Sequence, residues 1–328
     1  KGYTQYEATA KVLMAYGMLL VTDLFGDAPY SEAFLGFENL EPKYDRQEDI
    51  YASIQQLLDE AMIGLNAESA PVSPGADDLI FGGDMVQWRK FANALRARTF
   101  LHLGKVSASN YSAALAAIDA GAFTTAADDA VFHWGINETE AGPWYQFIQQ
   151  RDHIIYVGYM FDLLEANHDP RYFAYLDTLN FNSLGSYYAK PDAVFFFHSF
   201  MEQKFIEAEA AFQTGDFSRA ASACNDAVLA SLSRHNISNP GFEATYASAS
   251  ASDITLKKIM VQKYIAMFLD VEAFTDWRRT GIPSLTPAIG NSTGNIIPRR
   301  LLYPTSERRY NSNNFQKIPI TEPVWWDQ

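Results

Sequence analysis

Residues 201–227 read MEQKFIEAEAAFQTGDFSRAASACNDA, and the fold follows from this stretch. Met201, Phe205, Ala208 and Phe212 recur at spacings of three and four, the period at which side chains share one face of an α-helix. The run ends at Gly215-Asp216-Phe217, a Gly-Asp-aromatic turn of the kind that opens the second helix of a tetratricopeptide repeat. Ala220, Cys224 and Ala227 follow it, small residues at offsets that let paired helices approach closely. Asn110-Tyr111, with Ala114 three residues past the tyrosine, repeats the signature after a helix ending near Leu103-Gly104. Two such turns, each behind an amphipathic helix, predict stacked hairpins that build one shared core.

Working outward, the same period marks further helices. Val12, Tyr16, Leu19 and Leu20 form one stripe, and Ile50, Ile54, Leu57, Leu58, Ala61 and Leu65 form another. Trp88, Phe91, Ala92, Leu95 and Thr99 make a third, and Val261, Tyr264, Ile265 and Phe268 a fourth. All are read as core-facing. Breakers at Gly26 to Pro29, Pro71 to Gly75, Gly82-Gly83, Asn239-Pro240-Gly241 and Gly281 to Pro298 separate them. Only Ala193 to His198 reads as a strand. The expectation is an all-α chain, residues 1–328 as one domain, with a tetratricopeptide-like hairpin core, long irregular loops and little β structure.

Composition narrows the function. The chain has 328 residues, 48% of them hydrophobic, enough to bury a sizeable core. A net charge of −14 argues against nucleic acid, which calls for a concentrated basic face. Cys224 is the single cysteine, which excludes an internal disulfide and a cysteine-based zinc site; in an alanine-rich helix it reads as a buried thiol. No run of about 18 apolar residues suggests a membrane-spanning helix. The chain opens at Lys1-Gly2-Tyr3 directly into helical patterning, so its true start is expected to lie upstream.

Two signatures of catalysis are missing: there is no H-E-x-x-H and no phosphate-binding glycine loop. His102, His133, His153, His168, His198 and His235 lack metal-ligand spacing. The expectation is a non-enzymatic protein with no cofactor and no metal. Asp77-Asp78 with Asp84, and Asp128-Asp129, offer carboxylates to calcium, but solvated charge is the simpler reading. A binding role has better support. Aromatic residues make up 14% of the chain, and residues 132–147, FHWGINETEAGPWYQF, set Trp134, Trp144 and Tyr145 among Asn137, Glu138 and Glu140 in an apparent loop. Flat rings cover the C–H face of a sugar while amides and carboxylates bond its hydroxyls. Residues 180–188 offer a second group, Phe181, Asn182, Tyr187 and Tyr188, and Trp325-Trp326 a third that equally well anchors the C-terminal tail. The ligand-binding candidates are Trp134, Asn137, Glu138, Trp144, Tyr145, Tyr187 and Tyr188.

The motifs, taken in order, resemble the SusD/RagB family. Asp23-Leu24-Phe25-Gly26-Asp27-Ala28-Pro29-Tyr30 is similar to its turn after an early helix. Tyr44, Arg46, Ile50-Tyr51, Ile54, Leu57 and Ala61 fit its next helix, and the segments from Trp88 to Arg96, Asp169-Pro170-Arg171, and Glu202 with Phe205 to Ala210 follow in family order. The C-terminal part carries the most specific likeness: Gln262-Lys263-Tyr264, Glu272-Ala273-Phe274, Asp276 to Gly281, Ile297 to Pro304, Glu307 and Asn311. The resemblance implies a surface-exposed lipoprotein of the outer membrane that captures an oligosaccharide or polysaccharide for a TonB-dependent, SusC-like transporter, touching the membrane by a lipid anchor only. It departs from the family in lacking the N-terminal lipidated cysteine, and the interval from Arg171 to Glu202 is short. Two other readings stay open: oligopeptide capture of the RagB kind, and a repeat scaffold with protein partners alone. The shared motifs read mainly as frame, with Arg278 and Arg279 bonding Glu272, Asp276 or helix-end carbonyls.

Overall fold

Helices in antiparallel pairs account for most of the structure, a computed structural model that describes residues 2–67, 70–151, 157–177 and 184–328. The long ones are α1 (Thr4–Phe25), α2 (Gln47–Leu65), α3 (Met85–His102), α4 (Ser109–Asp119), α9 (Phe200–Gln213), α10 (Phe217–Arg234) and α12 (Leu256–Ala266). Shorter ones fill the intervals: α5 (Pro143–Arg151), α6 (Tyr159–Ala166), α7 (Tyr172–Tyr175), α8 (Ser186–Ala189), α11 (Pro240–Tyr246), α13 (Glu272–Thr280) and α14 (Thr305–Tyr310). The expected hairpins are present: α3 packs on α4 and α9 on α10, and α1 on α2 forms a further pair.

Local chemistry fixes the ends. Asp216 caps α10 by accepting a hydrogen bond from Arg219 N–H at 3.0 Å, and Ser199 caps α9 through Glu202 N–H at 3.2 Å. Asp84 caps α3 in the same way, accepting from Val86 N–H at 2.8 Å. Close approach is built in at Gly104, where a Cβ would fall 2.3 Å from the Tyr111 ring that opens α4.

The stripes of α1, α2 and α3 form one core, with Val12, Leu19, Ile50, Leu58, Phe91 and Leu95 buried in it. A second core gathers Phe205, Ala208, Ala220, Cys224, Ala227 and Ile259 from α9, α10 and α12. Cys224 is buried as expected, and burial pushes its thiol up to about 12. The C-terminal stripe is core-facing only in part: Ile265 is buried, but Val261 and Phe268 are only half-buried, around the small cluster of Leu164 and Tyr175. Phe268 lies past the end of α12, where the chain turns toward a cleft. Helix α1 is apolar and long enough to cross a membrane, yet its Val12, Ala15 and Leu19 face are buried against the neighbouring helices.

Buried ion pairs stitch the two cores together. Arg98 of α3 grips Glu202 of α9 through two hydrogen bonds of 2.6 Å. Arg279 spans Glu209, at 2.7 and 2.9 Å, and Asp276, while Arg278 donates to the Asp23 carbonyl at 2.6 Å and the Arg299 carbonyl at 3.0 Å. Glu272, read as an arginine partner, instead bonds His102. Each pairing satisfies charges whose isolated burial would be costly.

The calcium alternatives dissolve in the same way. Asp78 accepts from three backbone N–H groups and from Trp88 Nε1 at 2.7 Å, and Asp128 holds Lys90 at 2.6 Å and Thr124 N–H at 2.7 Å. These carboxylates tie down loops. Among the described residues two small antiparallel sheets complete the fold: β1 (Ala28–Pro29) with β2 (Tyr44–Asp45), and β3 (Ala130–His133) with β4 (Val194–His198). Only β4 was legible in the sequence.

Candidate functional site

The β3–β4 ladder positions the aromatic segment. Val131 pairs with Phe196, Phe132 with Phe195 and His133 with Val194, so the chain leaves the ladder at Trp134, whose N–H points to the Ala193 carbonyl at 3.4 Å. The Trp134 ring then packs edge-on against Phe132, 4.9 Å between centroids. Residues 135–140 close on themselves: Gly135 N–H donates to the Glu140 carbonyl and Asn137 Nδ2 to Glu140 Oε2, both at 2.9 Å. Gly142 N–H donates to the Pro191 carbonyl at 2.8 Å, and Pro143 starts α5 at the position where its missing N–H costs nothing. The segment read as one loop is therefore strand, turn and helix.

Trp144, in the first turn of α5, is 40% exposed. It and Trp134 line an open cleft of about 320 Å³. Tyr187 and Tyr188 of α8, Phe268 to Val271 in the turn after α12, Phe196 of β4 and Arg234 of α10 also line it. Tyr188 packs edge-on against Phe268, 5.4 Å between centroids, and Tyr187 against His235 at 4.6 Å. His235 carries no charge to disturb this packing: burial, then Arg234 and Arg171, push its pKa down to about 4.

Polar groups in the cleft are few and distinct. The Arg234 guanidinium carbon lies over the Phe196 ring, 4.0 Å from its centroid. Asp270 is half-buried, held by a hydrogen bond from Glu272 N–H at 2.9 Å, and burial together with the Glu202 carboxylate pushes its pKa up to about 7. Glycoside hydrolysis calls for two carboxyl groups across the scissile bond. Among the described residues that line this cleft, Asp270 is the only carboxylate.

Of the residues singled out in the sequence, Trp134, Trp144, Tyr187 and Tyr188 are brought together here. Asn137 and Glu138 are not: they sit exposed on the closed turn, where Asn137 spends its amide on Glu140. Tyr145 is half-buried on α5 and does not line the cleft. Asn180, Phe181, Asn182 and His153 lie outside the described residues. Trp326 is buried core, donating from Nε1 to Asp23 Oδ1 at 3.0 Å beneath the Arg278 guanidinium, so the C-terminal pair anchors the tail. Phe196, Phe268, Asp270 and Arg234 were missed. For Phe196 a signal existed, in the alternating Val194-Phe195-Phe196-Phe197 strand.

Helical hairpins carrying a ring-lined cleft give the chain a tetratricopeptide-type architecture with a candidate binding site. The chain belongs to the SusD-like family, described as starch-binding and associating with the outer membrane, which matches residues 1–194 and 179–304. Its members are binding proteins and not enzymes. Among solved structures, a chitin-binding protein shares 27% identity over 100% of this chain and 82% of its own, with a TM-score of 0.83. A chitin-binding SusD homolog from Flavobacterium johnsoniae shares 23% identity over 99% of this chain and 81% of its own, also with a TM-score of 0.83. A SusD homolog from Bacteroides fragilis shares 20%, over 99% and 84%, with a TM-score of 0.77. No curated protein matches the sequence.

Proposed function

We propose that this protein captures an oligosaccharide in the Trp134–Trp144–Phe268 cleft and passes it to a TonB-dependent transporter, acting as a surface lipoprotein of the outer membrane. The observation that carries the reading is the cleft itself: a lining rich in aromatic rings, with one guanidinium and one carboxylate among them. Such a lining suits a pyranose, apolar on its faces and polar round its edge. A polymer of N-acetylglucosamine is the first candidate, since two structurally similar proteins are described as chitin-binding. The family's association with the outer membrane supports the location. A peptide site would instead be deeper, more polar and less ring-lined.

Titration calorimetry against soluble oligomers of N-acetylglucosamine, glucose and xylose, and against a tripeptide library, tests the proposal. Saturable binding to one sugar series, weakened about tenfold in Trp144→Ala, is the expected result. Binding of peptides alone would turn the reading to oligopeptide capture. Co-purification with a co-expressed TonB-dependent transporter tests the delivery step.

A further inference from the structure

We infer that the sugar site has a second chamber beyond Arg234, which receives the continuation of the same saccharide chain. The inference rests on the glycan reading of the first cleft. A further cavity of about 740 Å³ opens between the turn at Thr124–Ala126, the start of α9 and the last turns of α10. Tyr187, Phe196 and Arg234 line both spaces. These shared side chains place the two spaces next to each other.

Arg234 is the residue that gives this junction a function. Its side chain is 16% exposed, its guanidinium carbon lies over Phe196, and its one ionic neighbour is Asp129 Oδ2 at 3.7 Å, beyond hydrogen-bond length. Among the described residues none of its guanidinium N–H groups has a hydrogen-bond partner. A guanidinium presents five donors in one plane. Held stiffly by the ring and left unbonded between two cavities, they suit the hydroxyl or carbonyl acceptors of a passing chain.

The second chamber repeats the chemistry of the first. Tyr187, Phe196, Phe200 and the Ser233 hydroxyl line it, with the Lys204 ammonium over the Phe200 ring at 5.6 Å. Its other cation is already neutralised: Lys204 pairs with Glu207 at 3.1 Å and Asp226 at 3.3 Å. Balanced charge points to an uncharged saccharide and away from a phosphate or polyanion. Each space lies within the size range of small-ligand sites, about 300–1,000 Å³, so a short oligomer occupies one and a longer one spans both.

The test compares the affinities of the two-unit and six-unit oligomers of N-acetylglucosamine by calorimetry, in wild type, Ser233→Trp and Ala126→Trp. Both substitutions place bulk in the second chamber at exposed positions, and thermal melts check that each variant folds. The wild type is expected to bind the longer sugar at least about tenfold more tightly, and the variants to shrink that ratio to about twofold. Equal affinities in the wild type, or an undiminished ratio in both folded variants, overturn the second chamber and leave the first standing. Failure of both sugars to bind overturns the chitin-type reading and this inference with it.

Discussion

Arg98 and Glu202 lie 104 positions apart in sequence, yet they meet in the core through two parallel hydrogen bonds of 2.6 Å that join the first group of hairpins to the second. The planar fork of the guanidinium matches the carboxylate, and Arg98 also donates to the Phe197 carbonyl at 3.0 Å. Removing one partner strands the other charge out of water. Glu202→Gln or Arg98→Met is expected to lower unfolding stability by about 3–5 kcal/mol, read from urea denaturation. The double variant Arg98→Met/Glu202→Leu should recover part of that loss; an equal or greater loss would show that the pair contributes more than mutual neutralisation.

A second core pairing makes stability depend on pH. His102 is wholly buried, with Nε2 2.5 Å from Glu272 Oε1 and Nδ1 3.1 Å from Asp23 Oδ2. Burial disfavours the charged ring, but the Glu272 and Asp23 carboxylates outweigh it and push its pKa up to about 9. The folded value lies above the unfolded value of about 6.5. This contribution is therefore complete below about pH 6.5 and lost as pH rises through about 9. Urea midpoints measured from pH 6 to pH 10 should fall across that window in the wild type. A fall of the same size in His102→Gln would assign it to other groups.

Gly104 shows how a sequence signature becomes a packing requirement. Its Cα faces the Tyr111 ring across the α3–α4 turn, where a Cβ would come within 2.3 Å of the ring carbons. Gly104→Ala is expected to cost about 1–3 kcal/mol, the range for forcing extra atoms into a packed site. Thermal melts check it, and Gly104→Ala/Tyr111→Ala should recover stability if the ring contact is the cause.

The hairpins were legible because Met201, Phe205, Ala208 and Phe212 repeat at helical spacing and the Gly-Asp-Phe turn follows directly. Four of the cleft aromatics were legible for a different reason: Trp134, Trp144, Tyr187 and Tyr188 sit outside the periodic stripes. Local pattern could not show that Asn137 and Glu138 would close a turn on Glu140 and leave the site. Nor could it show Arg234, which reads as an ordinary basic residue at a helix end until Phe196, 38 positions earlier, comes to lie beneath it. Phe268 and Asp270 reach the cleft because α12 ends at Ala266 and Leu269 adopts a left-handed backbone, with φ of 65°. Such contacts belong to the tertiary fold.

Asp270 offers the most direct link between the cleft and its ligand. Its carboxyl is pushed up to about 7 from 3.8, chiefly by burial and then by Glu202. A raised carboxyl contributes stability that is complete below about pH 3.8 and lost as pH rises through about 7. Asp270→Asn keeps an oxygen for Glu272 N–H and removes the charge, so at pH 8 it should unfold at higher urea than the wild type. Binding should move the opposite way. An ionised carboxylate accepts shorter, stronger hydrogen bonds from hydroxyls than a neutral carboxyl does. Wild-type affinity for a bound oligosaccharide is therefore expected to rise between pH 6 and pH 8, while that of Asp270→Asn stays level. Calorimetric titrations at those two pH values separate the outcomes. A parallel rise in both proteins would mean that Asp270 shapes the cleft floor without touching the sugar.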